Sequence, residues 1–249
     1  MNNHETEQKK FISLIKSLSG SHSSHEIFSD FCAMAAISLY QPFARDEALE
    51  KEYMSIVNKY RKKDAGVFSE LLGCVIEGLT ASFGDFLGVC YMALEISNKH
   101  QGQFFTPYTI SKFMVAMLDI PEKEKICLSE PACGAGGMII AYAEMMKKQK
   151  INYQRKLEVQ AVDIDKMCFH MTYIQLSLLN ISAEVIWGNS LTLETYQIWH
   201  TPSNLFYGGY RWGLKHTNTI KPKDATEEDV VCAADIPMKK NIFIQPSLF

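Results

Sequence analysis

Three groups of residues near the middle of the chain have the types and spacing to hold a small ligand. Glu130-Pro131-Ala132-Cys133-Gly134-Ala135-Gly136-Gly137 is a turn of small residues. Such a turn lets backbone approach a ligand closely and directs helix N–H groups toward an anionic group. Alone it suits a nicotinamide dinucleotide, a phosphate or simple tight packing. Asp163 closes a second apolar run with a carboxylate able to accept both hydroxyl protons of a ribose. Asn189 closes a third, where an amide can read an adenine edge. Together they describe an adenosine-containing ligand; a structural turn with surface acids is the plainer alternative.

The elements that must position these residues follow from hydrophobic period. A strand is predicted over residues 125–130, running into the Gly-rich turn and then a helix over 138–146. A second strand, 157–162, ends at Asp163-Ile164-Asp165 and leads to a helix over 167–179. A third, 183–187, ends at Gly188-Asn189. This alternation implies parallel βαβ units: an α/β fold with a doubly wound, mostly parallel sheet that takes its ligand at the strand carboxyl ends. Residues 8–100 read as helices. Phe11, Leu14, Ile15 and Leu18 recur at helical spacing, Ser19-Gly20-Ser21 breaks the run, and Ser24 suits the next N-cap. Further helices are predicted over 45–60, 67–79, 85–96 and 109–118.

Composition narrows the class. With 249 residues, 47% hydrophobic and 21% charged, the chain suits one α/β domain with a helical attachment. Its formal charge of −3 advertises no large phosphate-binding surface, so any basic face is local. Seven scattered cysteines without a CxxC pair suit free thiols in a reducing compartment. His22 and His25 have no third ligand nearby in sequence and read as a polar loop before a helix. The polar start lacks a signal-peptide core and no apolar run approaches a membrane span, so a cytoplasmic protein is expected.

EPACGAGG, residues 130–137, resembles the first motif of the N6-adenine DNA methyltransferases, in particular the modification subunit of type I restriction systems. GQFFTP at 102–107 resembles that family's preceding motif, which packs against the methionine part of the cofactor. FGDFLGVCYMALE at 83–95 resembles the helix leading into it. AVDIDK at 161–166 and GNSL at 188–191 resemble the next two blocks. The resemblance spans roughly residues 30–195, with five blocks in family order. It implies a class I S-adenosylmethionine-dependent methyltransferase-like fold, in truncated form, and S-adenosylmethionine as cofactor. By motif position Phe104, Thr106, Pro107, Glu130, Cys133, Gly134, Asp163 and Asn189 line its site. Glu130 stands where many members have Asp, and either acid can hold the cofactor's ammonium group.

The family's reactive motif, Asn or Asp followed by Pro-Pro and then Tyr or Phe, occurs nowhere in this chain. There an oxygen accepts from the adenine amino group while the aromatic ring stacks on a flipped-out base. Thr201-Pro202-Ser203-Asn204-Leu205-Phe206-Tyr207 keeps one Pro, an amide and two aromatics in another order. The expected remodelled catalytic set is Asn204 as acceptor with Phe206 or Tyr207 as stacker. The other reading is a loop on a domain that binds cofactor without turnover. The 45 residues beyond Asn204 are too few for a full sheet plus a target-recognition domain, so DNA specificity is expected to come from a partner or to be minimal. Tyr207, Tyr210, Arg211, Trp212 and Lys215 form an aromatic-basic cluster suited to stacking on bases, or else a capping segment.

Gln245-Pro246-Ser247-Leu248-Phe249 resembles the bacterial sliding-clamp-binding peptide. Leu248 and Phe249 suit an apolar pocket, with Gln245 hydrogen-bonding at its rim; a terminal strand packing home is the alternative. The expected organisation is an N-terminal helical region over 1–100, a cofactor-binding domain over 101–215 and a polar tail over 216–249. The expected activity is methyl transfer from S-adenosylmethionine to adenine N6 in DNA. The alternative is a non-catalytic S-adenosylmethionine-binding module that docks on the sliding clamp or on restriction-modification partners.

Overall fold

The computed structural model describes residues 3–20, 22–95, 105–207 and 242–243. Helices build the first part, as the period predicts. In α1 (Asn3–Leu18) Phe11 and Ile15 are buried on one stripe. Ser23, one residue ahead of the predicted cap, accepts from Glu26 N at 3.1 Å and starts α2 (Ser24–Ala44). That helix ends at Arg45, whose φ of 50° is left-handed. The single helix predicted over 45–60 begins instead at Asp46, which caps α3 (Glu47–Val57) by accepting from Ala48 N at 2.7 Å. Next come α4 (Lys62–Ala81), longer than predicted, and α5 (Phe86–Glu95).

The α/β part opens with α6 (Tyr108–Ala116) and β1 (Ile126–Glu130), followed by α7 (Gly137–Lys148), the single turn α8 (Tyr153–Lys156) and β2 (Leu157–Asp163). It continues through α9 (Lys166–Leu178), β3 (Ser182–Asn189), β4 (Glu194–His200), α10 (Pro202–Tyr207) and β5 (Ile242–Phe243). The sheet order is β4-β3-β2-β1-β5. β1 pairs in parallel with β2 and β5, and β2 with β3, giving the mostly parallel α/β sheet expected. β4 was not anticipated. It pairs antiparallel to β3, with a register shift between Trp187 and Gly188. Its first three residues are exposed and only Trp199 is buried, so it carries little of the apolar alternation that betrays a strand.

Register and pleat give the sheet two unlike faces. One carries Leu128, Val159, Ala183, Val185 and Trp199 under α9, a helix buried nearly all round. The other carries Glu158, Gln160, Ser182 and Glu184. The helical region and the sheet share one core. Trp199 stacks on Tyr40 of α2 at 4.4 Å and meets Phe169 and Tyr173 of α9 at 4.9 and 5.1 Å. The boundary near residue 100 therefore divides the chain in sequence but not in space. No helix among the described residues is long and apolar enough to cross a membrane.

Candidate cofactor site

β1 and β2 deliver Glu130 and Asp163 to the same edge of the sheet, one strand apart. The chain leaves β1 through a turn that needs glycine at two points: Gly134 has φ +53° and Gly136 φ +86°. A Cβ on Gly134 would stand 3.0 Å from Phe105 Cδ1, so the ring lies directly against that backbone. The turn is tied down from several sides. Cys133 N donates to Val162 O at 2.9 Å, and Gly136 N to Cys133 O at 2.7 Å. Gly134 N donates to Asp163 Oδ2 at 2.8 Å, while Asp163 Oδ1 accepts from Asp165 N at 2.9 Å. Asp165 in turn caps α9 through the N–H groups of Met167 and Cys168.

Glu130 is 3% exposed and accepts from Ala132 N at 3.4 Å. Burial, reinforced by the nearby Asp163 charge, pushes its carboxyl up to about 7. Burial also raises Asp163 above the usual carboxylate range. Two partly desolvated acids on adjacent strand ends, beside a turn of small residues, form an environment that a cationic ligand would stabilise. Cys133 is buried against Thr172, and burial pushes its thiol well up, so it is a packed and unreactive thiol.

Asn189 ends β3, and its Oδ1 accepts from Leu191 N at 2.9 Å and Thr192 N at 3.3 Å. Beside it Trp187 Nε1 donates to Ile164 O at 3.0 Å, so the ends of β2 and β3 are linked. Thr106 and Pro107 precede α6, and Pro107 O accepts from Ile110 N and Ser111 N of its first turn. With Phe105 and Asp85 they line a cleft of about 460 Å³ bounded by α1 and α5. Phe104 lies outside the described residues.

The structure does not bring the Asn204 segment to this edge. Asn204 Nδ2 donates to Ser182 Oγ at 3.1 Å and to Glu158 Oε2 at 3.4 Å, and its Oδ1 lies 3.0 Å from His200 Nδ1. Ser182 opens β3 and Asn189 closes it. At about 3.3 Å per residue the two ends are roughly 23 Å apart. Asn204, expected as the acceptor, has its amide in the polar base of the sheet, at the end of β3 opposite Asn189. Antiparallel β4 is the reason, since it carries the chain back from the ligand edge before α10 begins. Phe206 is 70% exposed, meets Phe43 edge-to-face at 5.9 Å, and travels with Asn204 on α10. Tyr207 closes that helix. Tyr210, Arg211, Trp212, Lys215, Gln245, Leu248 and Phe249 lie outside the described residues.

Thr172 and Gln175 shape the turn without a motif to announce them, and Phe105, from the GQFFTP block, packs against it. Phe105 lies on Gly134 and, at 5.0 Å, on Tyr91 of α5. Thr172 donates to Gly134 O at 2.8 Å. Gln175 donates to Ala135 O at 2.8 Å and to Asp85 at 2.9 Å. The partners of Thr172 and Gln175 are distant in sequence, and within α9 both stand among other buried polar residues such as His170 and Ser177, so nothing local singles them out.

Residues 84–245 match the model of the N-6 DNA Methylase family. The chain belongs to that family. The type I restriction enzyme MjaIX methylase subunit of Methanocaldococcus jannaschii is similar over 146 residues at 22% identity, covering 57% of this chain and 24% of that protein. Among solved structures, one from Listeria monocytogenes, described as a class I S-adenosylmethionine-dependent methyltransferase, matches at 14% identity and TM-score 0.43. It covers 74% of this chain and 52% of its own. The type I restriction-modification methyltransferase subunit of Streptococcus thermophilus matches at 14% identity and TM-score 0.38, covering 67% and 39%. This N-6 DNA methylase chain thus spans about a quarter of the first relative's length.

Proposed function

We propose that this N-6 DNA methylase chain binds S-adenosylmethionine at the carboxyl edge of its sheet and acts in methylation of adenine N6 in DNA. The carrying observation is the pairing of Glu130 and Asp163 around the Gly134 backbone, with both carboxyls raised by burial. Glu130 suits the ammonium group, Asp163 the ribose hydroxyls and Asn189 the adenine edge, with Thr106 and Pro107 toward the methionine end. When bound, the cofactor supplies an electrophilic methyl group on a sulfonium centre. The chain's own part is to orient it and to neutralise its positive charge with ionised Glu130.

A second reading rests on a specific observation. The chain lacks an Asn/Asp-Pro-Pro-Tyr/Phe motif, and Asn204 sits at the base of the sheet. A cofactor-binding module that modulates restriction-modification subunits, or docks on a sliding clamp through Gln245, Leu248 and Phe249, agrees with that placement. The relative named as a type I methylase subunit motivates the same partners. Calorimetry with S-adenosylmethionine, followed by tritium transfer to unmethylated DNA, separates the two. Binding with transfer supports the enzyme; binding without transfer, even with partner subunits added, supports the module. No binding overturns the site. Deleting residues 245–249 is expected to abolish clamp pull-down, and retained capture would remove the tail from the proposal.

A further inference from the structure

α9 crosses behind the Gly-rich turn, and Gln175, toward its C-terminal end, has no exposure. Its side chain fills its whole hydrogen-bonding capacity. Oε1 accepts from Phe86 N at 2.7 Å and Leu87 N at 3.0 Å. Nε2 donates to Asp85 Oδ1 at 2.9 Å and Ala135 O at 2.8 Å. The amide has only one orientation, because two backbone N–H groups need its oxygen and a carbonyl needs its nitrogen. Phe86 N and Leu87 N belong to the first turn of α5, where no intrahelical acceptor exists, so Gln175 caps that helix from another element. Asp85 adds the neighbouring cap by accepting from Gly88 N at 2.8 Å.

One turn earlier on α9, Thr172 holds the carbonyl of Gly134. Two successive carbonyls of the turn are thus pulled back onto α9, which leaves Gly134 N directed at Asp163. From the other side α5 carries Tyr91, which supports Phe105 against Gly134. Among the described residues, Gln175 is the one side chain bonded both to the turn and to the start of α5.

We infer that Gln175 is a positioning residue for cofactor binding: it fixes the register between the Gly-rich turn and the α5–Phe105 wall that faces it. The inference rests on the reading of this edge as an S-adenosylmethionine site. An apolar residue would fill the same volume but leave Phe86 N, Leu87 N and Ala135 O unpaired inside the core.

The test is Gln175→Glu, which keeps the shape and the acceptor. Its second oxygen meets Asp85 Oδ1 and Ala135 O, so it fits only when the carboxyl pair holds a proton. The other titratable groups that Asp85 senses are His4 from α1, Cys90 from α5 and Tyr108 from α6. Calorimetry with S-adenosylmethionine on the full chain is expected to show the variant about tenfold or more weaker than wild type at pH 8, with a smaller deficit relative to wild type at pH 6. The wild-type chain should not regain affinity on acidification. Leu176→Ala, a cavity on the same helix, controls for fold loss: its melting temperature should fall while its affinity stays within about twofold of wild type. Wild-type affinity in Gln175→Glu at pH 8, or an equal loss in Leu176→Ala, would overturn the inference alone. A wild-type chain that binds no cofactor overturns the inference and the site together.

Discussion

Gly134 N donates to Asp163 Oδ2 at 2.8 Å, so the acid that ends β2 also fixes the turn that follows β1. Its Oδ1 accepts from Asp165 N. Each oxygen of an ionised carboxylate has a further lone pair, which leaves the group able to take ribose hydroxyls while it braces the turn. Scaffold and proposed ligand contact meet in one side chain.

Substitution at Asp163 should separate those two roles. Asp163→Asn retains one acceptor oxygen and can preserve the bond from Gly134 N, while losing charge and the second acceptor. We expect it to lower folding stability by about 1 kcal/mol or less. S-adenosylmethionine affinity should fall about tenfold or more, measured by calorimetry beside urea unfolding. Undiminished affinity would take Asp163 out of the site.

Glu130 gives a pH signature. Its carboxyl titrates near 7 in the folded chain, above its ordinary value of 4.5, because burial penalises the charged form. The folded state therefore binds more protons than the unfolded state between these values, and stability falls as pH rises from about 5 through 7. The full cost at pH 8 is on the order of 3 kcal/mol. Glu130→Gln should remove that slope: equal to wild type near pH 4 and more stable at pH 8 in urea titrations. It should also bind S-adenosylmethionine more weakly at pH 8, where wild-type Glu130 is ionised. A variant that is no more stable than wild type at pH 8 would contradict this account.

Asn204 supplies the opposite pattern. It joins Ser182, Glu158 and His200 at the base of the sheet, where Glu158 is also held by Lys125 at 2.7 Å and Ser182 at 2.6 Å. Asn204→Ala removes an amide from a network that includes a buried carboxylate, and should cost about 1–2 kcal/mol of stability. Its S-adenosylmethionine affinity should equal that of wild type once both are fully folded. A selective loss of affinity or of methyl transfer, with stability unchanged, would restore Asn204 to the reaction.

The difference between Asp163 and Asn204 marks what could be read from the sequence. Glu130, Gly134 and Asp163 sit where an apolar run ends in a small-residue turn or an acid, so local pattern places them at strand ends. Asn204 depends on which way the preceding strand runs. β4 is a short edge strand with an exposed start, and its antiparallel course sends the chain back to the base. Gln175 and Thr172 were illegible for a different reason. Their partners lie 40 and 38 residues away, and 89 for Phe86, so only the packed fold reveals them.

The turn itself allows a steric test with an internal contrast. Alanine at Gly134 must adopt φ near +53°, which costs about 1 kcal/mol or more for an L residue. Its Cβ would also press on Phe105 Cδ1 at 3.0 Å, and Phe105 is supported behind by Tyr91. Gly134→Ala should therefore lose about 1–3 kcal/mol and displace Phe105 from the cofactor edge, lowering affinity as well. Gly73 lies inside α4, where an added Cβ meets nothing within 4 Å. Gly73→Ala should gain about 0.5–1 kcal/mol through helix propensity and leave S-adenosylmethionine binding unchanged. Thermal unfolding and calorimetry on both variants check the pair, and a Gly134→Ala chain as stable as wild type would show that the turn relaxes without needing glycine.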